Sequence, residues 1–230
     1  MRAMMIPTNR PTTDLERQAM NAPGAVPPPA STFARWTEQE LNASIQQALA
    51  SRDLSQDQWI FAYGSLLWRP EFDFVEQRLA TLQGHHRALC LWSRINRGTP
   101  ENPGLVFGLE QGGSCAGMVF RIPAQQVAQT FPSLWAREMM TGAYHPSWID
   151  CHTEQGTVSA LAFVINRQAQ GYVPTLPMDE LVRIVMNAHG KYGSCFEYVE
   201  QTHLALEAVG IRDPHLEELV NRIRASQGLG

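Results

Sequence analysis

The rhythm of hydrophobic and polar positions changes three times along the chain. Up to residue 36 there is no period. Phe33 is the first aromatic residue, and Pro7, Pro11, Pro23, Pro27, Pro28 and Pro29 all fall in this stretch. Such text buries too little to offset its ordering entropy, which predicts a disordered or extended proline-rich tail over residues 1–36. Thr37-Glu38-Gln39-Glu40 then reads as a capping box. It opens a helix to about Ala50, in which Leu41, Ile45 and Leu49 recur four apart and predict a docking face. Residues 37–58 thus read as a docking helix and linker, and 59–230 as the body.

From Trp59 the period shortens and the residues turn aromatic and β-branched. Trp59–Tyr63, Arg87–Trp92, Leu105–Leu109, Cys115–Ile122, Trp148–His152 and Val158–Ile165 read as strands. Gln111-Gly112-Gly113-Ser114 and Glu154-Gln155-Gly156-Thr157 read as hairpin turns. Pro123 opens a helical stretch to about Met140, and Pro132 is expected to kink or split it. Helical spacing returns at Leu181, Ile184, Val185 and Ala188. It returns again at Leu216, Leu219, Val220 and Ile223, behind an Asp213 N-cap and Pro214. Strands come first and helices follow, without βαβ alternation. That order predicts an α+β fold with a mostly antiparallel sheet.

Composition narrows the function classes. With 230 residues, 44% of them hydrophobic, the chain can bury one real core. A formal net charge of -4 gives no basic excess, so no nucleic-acid partner is expected. No run approaches the roughly 18 apolar residues of a transmembrane helix, so no membrane partner is expected either. Cys90, Cys115, Cys151 and Cys195 form no CxxC pair and read as structural thiols. The histidines lack ligand spacing, and there is no phosphate loop or dinucleotide fingerprint. Neither a metal nor a cofactor is expected. The first residues lack the apolar core of a secretory signal, which makes the cytoplasm the expected compartment.

Three places suit chemistry. In Phe61-Ala62-Tyr63-Gly64-Ser65-Leu66-Leu67-Trp68, a strand runs into Gly64, which permits a sharp bend or positive φ. Successive N–H groups there suit a carboxylate or a developing oxyanion; the plain alternative is an ordinary turn. It is not a GxSxG elbow, so Ser65 is not read as a nucleophile. In helical spacing Glu138 shares a face with Leu134 and Trp135. A carboxylate on an apolar stripe has a raised pKa and suits a general acid/base, whereas the alternative is a boundary Glu paired with an Arg. Arg137 is expected to point elsewhere and to be structural. Arg97, in the Gly- and Pro-punctuated connection Ser93–Gly104, suits a substrate carboxylate, or is a solvated loop charge.

Read in order, Trp59–Trp68, Arg97-Gly98-Thr99, Pro103-Gly104, Ala116–Arg121, Leu134–Tyr144 with Pro146 and Trp148, and Phe196-Glu197-Tyr198 resemble the ChaC family. Its members are glutathione-specific γ-glutamylcyclotransferases. The resemblance covers about residues 59 to 225. It implies a small mixed sheet curled into a barrel with helices around it. It also implies that glutathione is cleaved by its own α-amino group to 5-oxoproline and cysteinylglycine, without cofactor or metal. By the same resemblance Glu138 is the catalytic acid/base. Ala62, Tyr63, Gly64, Ser65, Leu66 and Leu67 form the substrate-cradling loop, and Tyr144 and Tyr198 are pocket tyrosines. The chain departs from the family at Ala62, usually glycine, and at Leu105, usually arginine. Ala62 puts the loop geometry in question. Leu105 raises the alternative of an enzyme for other γ-glutamyl amides or amines. The family's older name offers a third reading, a non-catalytic regulator of cation transport.

Overall fold

The computed structural model describes residues 35–228. The proline-rich stretch, apart from Arg35 and Trp36, lies outside the described residues. The elements are α1 (Glu38–Leu49), β1 (Gln58–Ala62), a 3-10 turn (Ser65–Leu67), β2 (Glu76–Ser93), β3 (Gly104–Ile122), α2 (Ala124–Glu138), β4 (Tyr144–Thr153), β5 (Gly156–Ile165), α3 (Met178–Asn187), the short β6 (His189–Gly190) and β7 (Gly193–Ser194), α4 (Cys195–Ala208) and α5 (Pro214–Ser226). The five longer strands close a barrel in the order β1-β3-β2-β4-β5. Pairings are antiparallel except those with β5 from β1 and β3: Trp59 and Ile60 of β1 run parallel to Ala160 and Leu161, and Leu109 of β3 pairs parallel with Val164. The fold is α+β, with a mixed, mostly antiparallel barrel.

Two cores flank the barrel wall. Successive residues of β1 face opposite ways. Phe61 and Tyr63 join a core with Leu105, Leu109 and residues of α3, α4 and α5. Ile60 and Ala62 join another with Phe120, Phe163 and the apolar face of α2. Ile45 of α1 is buried in that second core, and Leu41 and Leu49 pack on it. Trp135 on α2 donates its indole N–H to Ser44 Oγ at 3.1 Å, and Trp148 donates to the Ala48 carbonyl at 2.7 Å.

Several elements differ from the sequence reading. The strand placed at Arg87–Trp92 starts at Glu76, in polar text whose period is hidden by its exposed face. Leu105–Leu109 and Cys115–Ile122 are one strand, not two. Gly112 (φ 98°) and Gly113 (φ 70°) bend β3 where β2 shifts register between Gln83 and His85, so Gln111–Ser114 makes a bulge and not a hairpin. Only Glu154 and Gln155 separate β4 from β5, and β4 begins at Tyr144. Helix α2 runs unbroken through Pro132. The carbonyl that Pro132 leaves without a donor belongs to Ala128, an exposed residue on the outer face of the helix.

Candidate active site

A cleft of about 1240 Å³ opens where β1, α2, β4 and α4 meet. Its lining includes Tyr63, Gly64, Ser65, Glu138, Tyr144 and Tyr198. After β1 the chain bends at Gly64 into the 3-10 turn. The bend is made at φ −131° and ψ −130°, without the positive φ that glycine also permits. A Cβ here would stand 3.4 Å from the Tyr198 hydroxyl and 3.5 Å from Phe107 Cβ. Gly64 has no side chain to cap the turn, so the leading N–H groups of Ser65 and Leu66 have no partner within it. From outside the cleft, buried Arg87 donates Nε–H to the Tyr63 carbonyl, Nη2–H to the Ala116 carbonyl, and Nη1–H to Asp213. Asp213 caps α5, so one guanidinium ties this bend to β3 and a helix start.

Glu138 is the last residue of α2, one turn beyond fully buried Trp135. Its side chain keeps 17% exposure. Burial pushes its carboxyl above the usual range, against a lowering by Arg137, and neighbouring Glu71 raises it further. The helix C-terminus, the negative end of the dipole, acts in the same direction. The negative charge of Glu138 in turn adds to the burial that raises the hydroxyls of Tyr63, Tyr144 and Tyr198.

Arg137 does not point elsewhere, as helical spacing suggested. Its long side chain folds back, with Nε 3.1 Å from Glu138 Oε1 and Nη2 donating to Ser65 Oγ at 2.9 Å. Glu138 is therefore both partly buried and paired, and one guanidinium joins the carboxylate to the Ser65 turn. The tyrosines are fixed by Phe107 of β3. Tyr144 Oη donates to the Phe107 carbonyl at 2.9 Å, and Tyr198 Oη accepts the Phe107 N–H at 3.0 Å. Tyr63 Oη donates to the Phe163 carbonyl at 2.7 Å.

Arg97 is not a solvated loop charge but 7% exposed. It lies over the rings of Trp68 and Tyr198, 5.8 and 5.4 Å from their centroids. Its polar contacts are long, 3.3 Å to the Ser194 carbonyl and 3.5 Å to the half-exposed Glu197. That leaves a weakly neutralised cation lining the cleft. Its loop is held by backbone contact: a Cβ on Gly98 would lie 2.2 Å from the Gly104 nitrogen, and one on Gly190 would lie 2.4 Å from the Gly98 nitrogen.

Two loop residues do not line the cleft. Ala62 is fully buried within β1, and Leu67 packs against the two cores. Ala62 also removes the question about loop geometry, because its φ is not positive. Leu105 is fully buried, with its backbone N–H and carbonyl hydrogen-bonded to Cys195 Sγ. Its side chain does not reach the cleft, so the departure at this position gives no ground for altered selectivity. The sequence reading missed Glu71, Arg87, Phe107 and the inward turn of Arg137. The only signal for Arg87 was a charged residue at the start of a predicted strand.

Residues 58–226 match the family described as ChaC-like protein. The chain belongs to the ChaC family. A ChaC relative from Escherichia coli (strain K12), named glutathione-specific gamma-glutamylcyclotransferase, is 33% identical over 190 residues, covering 82% of each chain. The human glutathione-specific gamma-glutamylcyclotransferase 1 is 27% identical over 172 residues, covering 72% of this chain and 78% of its own. The ChaC fold matches the crystal structure of a γ-glutamyl cyclotransferase specific to glutathione from yeast, with a TM-score of 0.68 and 20% identity. That match covers 74% of this chain and 96% of the yeast one.

Proposed function

We propose that the chain cleaves glutathione to 5-oxoproline and cysteinylglycine, as a glutathione-specific γ-glutamylcyclotransferase. The observation that carries this is the partly buried Glu138 carboxylate, joined through Arg137 to the Ser65 turn. The α-amino nitrogen of the substrate attacks its own γ-carbonyl carbon, and the amide bond to the cysteinyl nitrogen breaks. Glu138 removes a proton from the α-amine and later returns it to the leaving cysteinyl nitrogen. A carboxylate of raised pKa serves both steps. The N–H groups of Ser65 and Leu66 hold negative oxygen at the bend. Arg97 holds a substrate carboxylate, and Trp68 and the tyrosines wall the cleft. Ring closure needs a folded γ-glutamyl chain, so a pre-shaped pocket supplies much of the rate.

No membrane-spanning helix is present among the described residues. We place the reaction in the cytoplasm and take the small molecule glutathione as the partner. The test is incubation of the purified chain with glutathione, reading 5-oxoproline and cysteinylglycine. Both should appear in equal amounts and fall together by about 10²–10⁴-fold in Glu138→Gln. Products at an undiminished rate from that variant sink the assignment of the base. No 5-oxoproline from the unaltered chain sinks the function.

A further inference from the structure

We propose that Glu71 is a positioning residue for Glu138: it holds one arm of Arg137 and so meters how much of that guanidinium's charge reaches the Glu138 carboxylate. This rests on reading Glu138 as the base. All three nitrogens of Arg137 are engaged. Nε meets Glu138 at 3.1 Å and Nη2 meets Ser65 Oγ at 2.9 Å. Nη1 donates to Glu71 Oε2 at 2.8 Å and to the Arg69 carbonyl at 2.6 Å. The other oxygen of Glu71 accepts from Arg69 Nε at 2.8 Å. Two cations and two carboxylates therefore alternate from the rim of the cleft inward: Arg69, Glu71, Arg137, Glu138.

The backbone marks Glu71 independently. Its φ is 58°, the one positive φ outside glycine among the described residues. Glutamate is a poor choice there. Such a conformation persists where the surroundings fix it, and it gathers at functional sites. The titratable groups facing Glu138 are Arg137 from α2, Glu71 from the connection after the 3-10 turn, Tyr63 beyond β1, Tyr144 from β4 and Tyr198 from α4. Burial keeps the three hydroxyls protonated, which leaves Arg137 and Glu71 as the charged pair. They act oppositely: Arg137 favours the ionised carboxylate and Glu71 the protonated one. A base needs both, one to keep it in place and one to keep it basic.

The experiment is the pH profile of kcat/KM for glutathione in Glu71→Gln, which deletes the charge and keeps the shape. With Glu71 neutral, Arg137 serves Glu138 alone. The acid limb should move to lower pH, making the variant roughly two- to fivefold faster than wild type on that limb. On the alkaline side of the limb the weaker base should make it slower, so the two profiles cross. Raised salt should shrink the difference, because Glu71 is half-exposed. Glu71→Asn suits the left-handed backbone, deletes the same charge and should give the same crossing. A profile lowered evenly at every pH, with a drop in Tm, means a merely structural role and overturns the inference. If Glu138→Gln is inactive while Glu71→Gln and Glu71→Asn leave the limb in place, the metering fails alone. If Glu138→Gln stays active, the base assignment itself fails.

Discussion

Tyr144 and Tyr198 hold the same residue by opposite ends of its backbone: one donates to the Phe107 carbonyl at 2.9 Å, the other accepts the Phe107 N–H at 3.0 Å. The two hydroxyls are therefore not equivalent. Tyr144 has spent its proton on the protein. The Tyr198 proton is given to no described residue, and Tyr198 lines the cleft.

Tyr198→Phe removes that donor and also orphans the Phe107 N–H. With the Tyr198 proton turned to the γ-carbonyl oxygen as a transition-state donor, its loss should lower kcat by roughly 10²-fold. Tyr144→Phe should cost about 1–3 kcal/mol of stability through the unpaired carbonyl, with a much smaller fall in kcat. Steady-state kinetics and urea unfolding on both variants separate the two effects.

Arg97 is expected to act on binding. Arg97→Met keeps most of the stem packed on Trp68 and Tyr198 and deletes the charge. KM for glutathione should rise by roughly tenfold or more, with kcat changed less, as loss of a charge-assisted hydrogen bond demands. A kcat loss at unchanged KM contradicts the assignment.

Glu138 carries a stability cost with a definite pH sign. Its folded pKa is raised, so the fold binds the proton more tightly than the unfolded chain does. The stabilisation from the protonated form is fully present below the unfolded value of 4.5. It is lost as pH rises through the raised folded value. Glu138→Gln should therefore melt above wild type at pH 7, with the gap closing toward pH 4. Each kcal/mol relieved appears as roughly 2–4 °C in Tm for a chain of this size. The same raised value places the acid limb of kcat/KM above the ordinary carboxylate range.

Arg87→Ala should destabilise by about 3–5 kcal/mol, since its side chain is 4% exposed and its removal strands Asp213 and two carbonyls. Arg87→Lys keeps the charge but loses the fork, and should recover only part of both stability and kcat. Denaturant unfolding together with the kcat of the lysine variant checks this.

The sequence disclosed what depends on local text. The Thr37 capping box, the Asp213 cap and the strand leading into Gly64 all appear near their expected positions. The apolar setting of Glu138 was legible because Leu134 and Trp135 share its helical face. Long-range geometry was not. The spacing rule sent Arg137 away from Glu138, yet a side chain of that length wraps around the helix end. Gly112 and Gly113 carry the same letters in a bulge as in a hairpin, and only the partner strand decides. Leu105 looked like a specificity change, but strand alternation turns it into the core.

The parallel strip between β1 and β5 joins chain positions about a hundred residues apart. On a ribosome β1 emerges early, and its β5 edge has no partner until Ala160 and Leu161 are made. Tyr198 comes later still. The bend at Gly64 thus waits for most of the chain before it faces Glu138 and Tyr198 together, so an unfinished chain does not hold a working cleft.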